Sequence, residues 1–451
     1  MTFMRMAGRD RAWIGRRHIM LAGPAEMPDV TAVRVAAEQL FTMKPDHRLF
    51  RRLDPSSTKW IPTPAGDIRR HCVATIVPMD DPDQDDLAGH IERLYTSAVP
   101  TLPFQIYVGR RYAALSMAHC LGDGWLSTNA FPALLRAGLD GDPPVALTGD
   151  ETALPLARAL IRFYGRDPRR LLATVRDARS SPPKSAAPAR TGRMPAAAAG
   201  NAPSRPADAA PAVVARRSPG STLADIRSWR DAHAPDSTSA AVLFAAARVA
   251  FDRCGLGPPA GAGVFTLIDN RRFLPADATV AGNFAVGLHM APVNPVDPVA
   301  ISRTLRQTVT SGRSLATLCL IAVRGYRQRL PAASLPTDAH SPAHPCLVLN
   351  HLGRVPRFEQ LSWIGGSAGG DPGPDAPQVY SASTPGGSDV ISVKFVELRG
   401  AVSVTATFHP SSFPRSAVAA AIDLLCAGPL DLLTDPGRTV TGPSSVSGTN
   451  R

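Results

Sequence analysis

Apolar positions along this chain recur with two different periods, and their alternation predicts an α/β protein. Residues 30–43 place Val33, Ala36, Ala37 and Leu40 three and four positions apart, the spacing of an amphipathic helix. Just before it, residues 17–21 form a short apolar-rich run closed by Gly23 and Pro24, which predicts a strand and a turn. Residues 72–77 are β-branched and apolar and predict a further strand. Residues 104–108 and 112–117 read as two strands of a hairpin, joined through the polar Gly109, Arg110 and Arg111. Helical spacing resumes over 129–139 and returns at 224–233, 239–251, 298–310, 315–327 and 416–426. Between these lie the predicted strands 264–268, 284–293, 346–350, 390–396 and 402–408.

One stretch carries neither period. From 179 to 219 the composition turns to Pro, Ala, Ser and Arg, which offers too little apolar surface to offset the entropy of ordering. The chain is therefore expected to divide into an N-terminal lobe (1–178), a disordered connector (179–219), a C-terminal lobe (220–435) and a disordered tail (436–451). With 451 residues, 44% hydrophobic and 19% charged, each lobe can bury a core of its own.

The formal charge of +12 resembles a nucleic-acid signal until it is located. Eleven basic residues against three Asp between Gly165 and Gly220 account for +8 of it, so a folded basic reading surface is not expected. The six cysteines, Cys72, Cys120, Cys254, Cys319, Cys346 and Cys426, form no CxxC pair, which suits a reducing compartment. No run approaches the roughly 20 apolar residues that cross a bilayer. The Arg-rich first 20 residues have no apolar segment after them, so a cytoplasmic protein is expected.

Three short motifs are set aside on chemical grounds. Gly365, Ser367 and Gly369 spell a nucleophile elbow, but Pro372 and Pro374 follow where a helix must start. Gly255, Gly257 and Ala260 spell a dinucleotide fingerprint with Pro258 and Pro259 in its turn. His340, His344 and Cys346 are separated by prolines that prevent a shared helical face, so no metal site is expected there, and no cofactor.

The informative stretch is ALSMAHCLGDGW, residues 114–125. An apolar strand delivers His119 into a turn where Gly122 and Gly124 flank Asp123, and each glycine would cost a helix interior roughly 1 kcal/mol, so a loop is expected before the helix. Strand, His119, three residues, Asp123-Gly124 and helix in that order resemble the HxxxDG motif of the chloramphenicol-acetyltransferase-like superfamily, which includes condensation domains and polyketide-associated acyltransferases. Three further stretches fit: VFTLIDNRRF (264–273), Gly282-Asn283-Phe284 before an alternating strand, and the NxxGR-type segment at 350–354. Ala118 stands where a fuller HHxxxDG motif has its first His, and Leu349 where a small polar residue is usual.

The resemblance implies an α/β fold of two chloramphenicol-acetyltransferase-like lobes, each a mixed sheet with helices, with a channel between them. It implies an acyltransferase that takes an acyl group from acyl-CoA or an acyl carrier protein and gives it to a small hydroxyl or amine acceptor. His119 would be the general base, with Asp123 and Gly124 in the same motif. Arg271 or Arg272 would hold Asp123, while Trp125, Asn283 and Asn350 would line the substrate side. Backbone N–H groups of Gly124 and Trp125 would face the developing oxyanion. A monomer is expected. Two alternatives stay open: amide-forming condensation of carrier-bound substrates, and a binding module that keeps the fold without the chemistry.

Overall fold

The computed structural model describes residues 4–54, 58–165, 167–180, 210–258, 262–327, 345–365 and 375–434. The chain opens with β1 (Met4–Arg5) and α1 (Gly8–Arg11), then β2 (Arg17–Gly23) and α2 (Val30–Met43). Two short strands, β3 (Arg51–Leu53) and β4 (Lys59–Pro62), form a small sheet with β1. Next come α3 (Ile68–Thr75), β5 (Ile76–Pro78), α4 (Leu87–Thr96), β6 (Phe104–Val108), β7 (Ala113–Ala118) and α5 (Gly124–Asp140). Helices α6 (Pro155–Tyr164) and α7 (Arg169–Ser180) follow, two elements the sequence pattern did not predict.

The second half begins with β8 (Ala212–Arg217), α8 (Thr222–His233), α9 (Ser239–Arg253), β9 (Val264–Asp269) and β10 (Ala285–Met290). After α10 (Pro298–Thr310) and α11 (Arg313–Arg327) come β11 (Cys346–Arg354), α12 (Pro356–Glu359) and β12 (Gln378–Ser383). The strands β13 (Val390–Leu398) and β14 (Ala401–Phe408) precede α13 (Arg415–Ala427) and α14 (Asp431–Thr434).

Two mixed sheets organise these elements. The first runs β12-β2-β7-β6-β5, antiparallel except for the parallel β5–β6 pair. The second runs β10-β9-β11-β13-β14-β8, with β11 parallel to both β9 and β13. Successive strand residues face opposite sides, and here both sides are covered. Met20 and Ala22 pack with Leu115, Met117, Leu40 and Phe131, while Ile19 and Leu21 pack with Ile91 and Leu94 on the other face. That is why these strands read as nearly continuous apolar runs.

The sheets meet through β13 and β12. Val393 and Phe395 enter a core with α9, while Val396 and Leu398 of the same strand enter the core built around β2, β7 and α5. Strand β12, from late in the chain, pairs antiparallel with β2 along Gln378–Ser383. The first sheet is therefore completed by a strand that the sequence reading assigned to the second lobe.

Two sequence expectations are corrected. Residues 72–75 are the end of helix α3, not a strand: His71, Cys72 and Thr75 are buried while Val73 is exposed, a helical spacing too short to be told from a strand run in a six-residue window. The connector at 179–219 is structured at both ends. Helix α7 reaches Ser180, and Ala212–Arg217 pairs with β14 as the edge strand β8. Four apolar residues, Ala212, Val213, Val214 and Ala215, suffice there because the partner strand supplies the hydrogen bonds. Residues 181–209 and the tail from 435 lie outside the described residues.

Candidate active site

Strand β7 ends where its chain is pinned from two sides. The Ala118 N–H donates to the Pro103 carbonyl at 2.7 Å and the His119 N–H donates to the Arg16 carbonyl at 2.8 Å. At Gly122 the backbone passes so close to the other half that a Cβ there would lie 2.5 Å from the Ala281 carbonyl oxygen. No side chain fits that approach. Asp123 then caps α5, its carboxylate accepting from the Trp125 N–H at 3.1 Å. The helix thus starts at Gly124, not after a loop ending near 129, since a glycine in the first turn interrupts no i→i−4 bond. The same cap consumes the Trp125 N–H that was expected to face an oxyanion.

The Asp123 carboxylate is held from the other half of the molecule. Arg271 donates to both of its oxygens, Nη1 to Oδ2 and Nη2 to Oδ1, each at 3.0 Å, and the Phe284 N–H donates to Oδ2 at 2.9 Å. The guanidinium is fixed in turn by the carbonyls of Val280 and Gly282 and lies over the Trp125 ring, 5.2 Å from its centre. Burial alone would raise the Asp123 carboxyl, but the Arg271 charge and its hydrogen bonds outweigh it and hold the group below the usual carboxylate range. Arg272, the alternative partner, is exposed and donates instead to the Asp269 carbonyl at 2.9 Å.

His119 is 7% exposed and sits between groups from several elements. The Trp13 ring stacks on it at 4.0 Å with an interplanar angle of 11°. On the side of the second half, its Nδ1 lies 3.1 Å from Asn283 Oδ1. Asn283 Nδ2 donates to Asp10 Oδ1 at 3.0 Å and to the His119 carbonyl at 2.8 Å, while the Asn283 N–H also donates to Asp10 Oδ1, at 2.9 Å. Both amide hydrogens being spent on acceptors, Oδ1 must face the ring, and an amide oxygen only accepts. The proton therefore sits on Nδ1, and Nε2 keeps its lone pair. Asp10 is itself 1% exposed and paired with Arg48 at 3.4 Å, so the whole chain His119–Asn283–Asp10–Arg48 is buried.

Burial is the largest influence on the His119 imidazole and the Lys394 charge the next, and together they bring it down to about 4. Asp123 acts weakly the other way. The ring is thus neutral and able to take a proton at pH 7. Because Asn283 fixes which nitrogen carries hydrogen, Asn283→Ala is expected to lower the rate of any reaction using Nε2 by about 10²-fold, mostly in kcat and with little change in KM. Steady-state kinetics on the folded variant check this.

Of the residues singled out from the sequence, His119, Asp123, Gly124, Trp125, Arg271 and Asn283 converge within one hydrogen-bonded cluster. Asn350 lies on β11 in register with Lys394 of β13 and makes none of the hydrogen bonds around His119. The sequence reading missed Asp10, Trp13, His18 and Lys394. Asp10 is the lone acid among five arginines in the first 20 residues, and Lys394 is the lone cation in the apolar run VISVKFV; both were visible oddities. Among the described residues no His, Cys, Asp and Glu group could hold a metal ion, and no helix is long and apolar enough to cross a membrane.

No protein-family model matches the chain, nor does any curated protein. Solved structures do. The trichothecene 15-O-acetyltransferase TRI3 of Fusarium sporotrichioides superposes with a TM-score of 0.56 at 12% identity, over 94% of this chain and 95% of that one. The first condensation domain of the calcium-dependent antibiotic synthetase gives 0.52 at 14% identity, over 97% and 99%. Polyketide synthase associated protein 5 of Mycobacterium tuberculosis gives 0.52 at 14%, over 95% and 100%. The chain has the chloramphenicol-acetyltransferase-like fold. In that fold the two mixed sheets found here are its two lobes, and the Asp123–Arg271 and His119–Asn283 contacts join residues assigned to different lobes by the sequence.

Proposed function

We propose that this protein is an acyltransferase that moves an acyl group from a thioester donor, acyl-CoA or an acyl carrier protein, to a hydroxyl or amine acceptor. The observation that carries this reading is the His119 ring: neutral, desolvated and held by Asn283 so that Nε2 is free to accept. His119 Nε2 takes the proton of the acceptor as its oxygen or nitrogen attacks the thioester carbon. It returns that proton to the departing thiolate as the tetrahedral intermediate collapses. Asp123 and Arg271 are positioning residues that fasten the loop across the seam, along which the substrate channel runs. The Gly124 N–H is the remaining backbone candidate for the oxyanion.

The resemblance of the fold to an acetyltransferase, a condensation domain and a polyketide-associated protein supports the reaction class and leaves ester and amide formation as two products of the same chemistry. Purified protein should be incubated with a panel of acyl-CoA and acyl-carrier-protein thioesters and a panel of alcohols and amines, with thiol release and product masses followed. Acceptor-dependent thiol release with a matching acylated product is expected. Absence of transfer from every donor in both classes rejects the reading and favours a binding module.

A further inference from the structure

Lys394 is an ammonium-bearing side chain that is only 4% exposed, and no described carboxylate pairs with it. Burying a cation without a counter-ion is costly, which marks such a residue for attention. Strand alternation puts it on the β13 face that turns towards the first sheet, opposite Val393 and Phe395. There its Nζ donates to Ser381 Oγ at 3.3 Å, and Ser381 Oγ lies 2.8 Å from His18 Nε2. On the far side of that ring, His18 Nδ1 is 3.4 Å from Ser127 Oγ, which donates to the Gly124 carbonyl at 3.0 Å.

One set of directions satisfies every contact along this chain. In it Ser127 donates to Gly124, His18 Nδ1 donates to Ser127, His18 Nε2 accepts from Ser381, and Ser381 accepts from Lys394. Lys394 donates at the end of this chain, and below its midpoint of about 7 it does so as a cation. The His18 ring meanwhile lies 6.2 Å from the His119 ring, centre to centre, with 29° between planes.

We propose that Lys394 is a positioning residue for His119: its positive charge, held behind His18 by this chain, keeps the imidazole in the neutral form that accepts a proton. The inference rests on His119 being the base, but the charge coupling exists whether or not the protein turns over. Among the described residues, every group facing Lys394 is consistent with the role. Asn350 of β11 and Thr405 of β14 flank it in register and Ser381 of β12 and His18 of β2 cover it, none of them acidic. His18 is itself held well below its ordinary range, by burial first and then by the Lys394 and His119 charges, so it adds no competing proton. Around His119 the other charged groups include Arg16, which acts with Lys394, Asp123, which acts against it and is paired with Arg271, and Asp10, which is reached through Asn283 and paired with Arg48. Burial brings the Lys394 ammonium down to about 7, so its charge is fully present where His119 titrates, near 4.

The test follows His119 directly by histidine-ring NMR as a function of pH, with His119→Gln assigning the signal. Lys394→Met removes the charge and is expected to raise the His119 midpoint by about one pH unit, whereas Lys394→Arg retains the charge and should leave it in place. The acid limb of kcat/KM should move with the midpoint. If the methionine variant does not fold, Lys394→Gln supplies the neutral replacement. An unchanged midpoint in the neutral variant, an equal shift in Lys394→Arg, or a wild-type midpoint at the ordinary histidine value would each overturn the proposal. None of these outcomes depends on transfer activity, so failure of the acyltransferase reading is told apart by the substrate panel alone.

Discussion

Replacing His119 by alanine is expected to reduce acyl transfer by about 10²–10⁴-fold, the typical worth of a positioned general base, while leaving KM for the donor within a few-fold of its original value. The expectation follows from the geometry around one atom. Asn283 and Asp10 fix the ring so that Nε2 has a lone pair to offer, and Trp13 holds its plane. Removing the imidazole leaves a small cavity beside Trp13 but no unpaired buried charge, so the fold should survive and the loss should fall on kcat. His119→Ala that retains most of the wild-type kcat, measured by thiol release on protein with an unchanged melting profile, would reject the proposed base.

The second large effect is on stability. Arg271→Met is expected to cost about 3–5 kcal/mol, because it strands the Asp123 carboxylate, whose side chain is only 8% exposed, without its counter-charge. The double variant Arg271→Met with Asp123→Asn should recover part of that loss, since it removes the stranded charge as well as the pair. Urea unfolding midpoints at pH 7 read both. The sign of the pH dependence follows from the Asp123 carboxyl being held below its ordinary value. Its contribution is fully present above the unfolded value, about 3.9, and is lost as pH falls through the lower folded one. In Arg271→Met that acid-side loss should shrink. Equal stability of Arg271→Met and the wild type would show that the seam is held by apolar contacts alone.

Much of this was legible in the sequence because it is local. The apolar runs of β6 and β7 mark strands covered on both sides, the three-and-four spacing in α2 and α13 reports which face of a helix is buried, and neither needs a partner to be read. The His119–Asp123–Gly124 spacing after an apolar strand was equally visible, and so was an Arg after β9 able to reach Asp123. Two of the misses had a common cause. Residues 72–75 and 212–217 are too few to show a period, so their form was decided by what they pack against: the α2 and β6 neighbourhood in one case, the open edge of β14 in the other.

The sequence by itself determined the two-lobe α/β class, many of the strands and helices and the residue types available for proton transfer, since these depend on neighbours a few positions apart. Only the tertiary structure decided that β12 completes the first sheet, that Arg271 and not Arg272 reaches Asp123, and that Asp10, Trp13, His18 and Lys394 surround His119. The reason is physical. A proton affinity is set by desolvation and by charges within a few ångströms in space, and the groups that set it for His119 lie as much as 275 positions away along the chain, where no sequence period connects them.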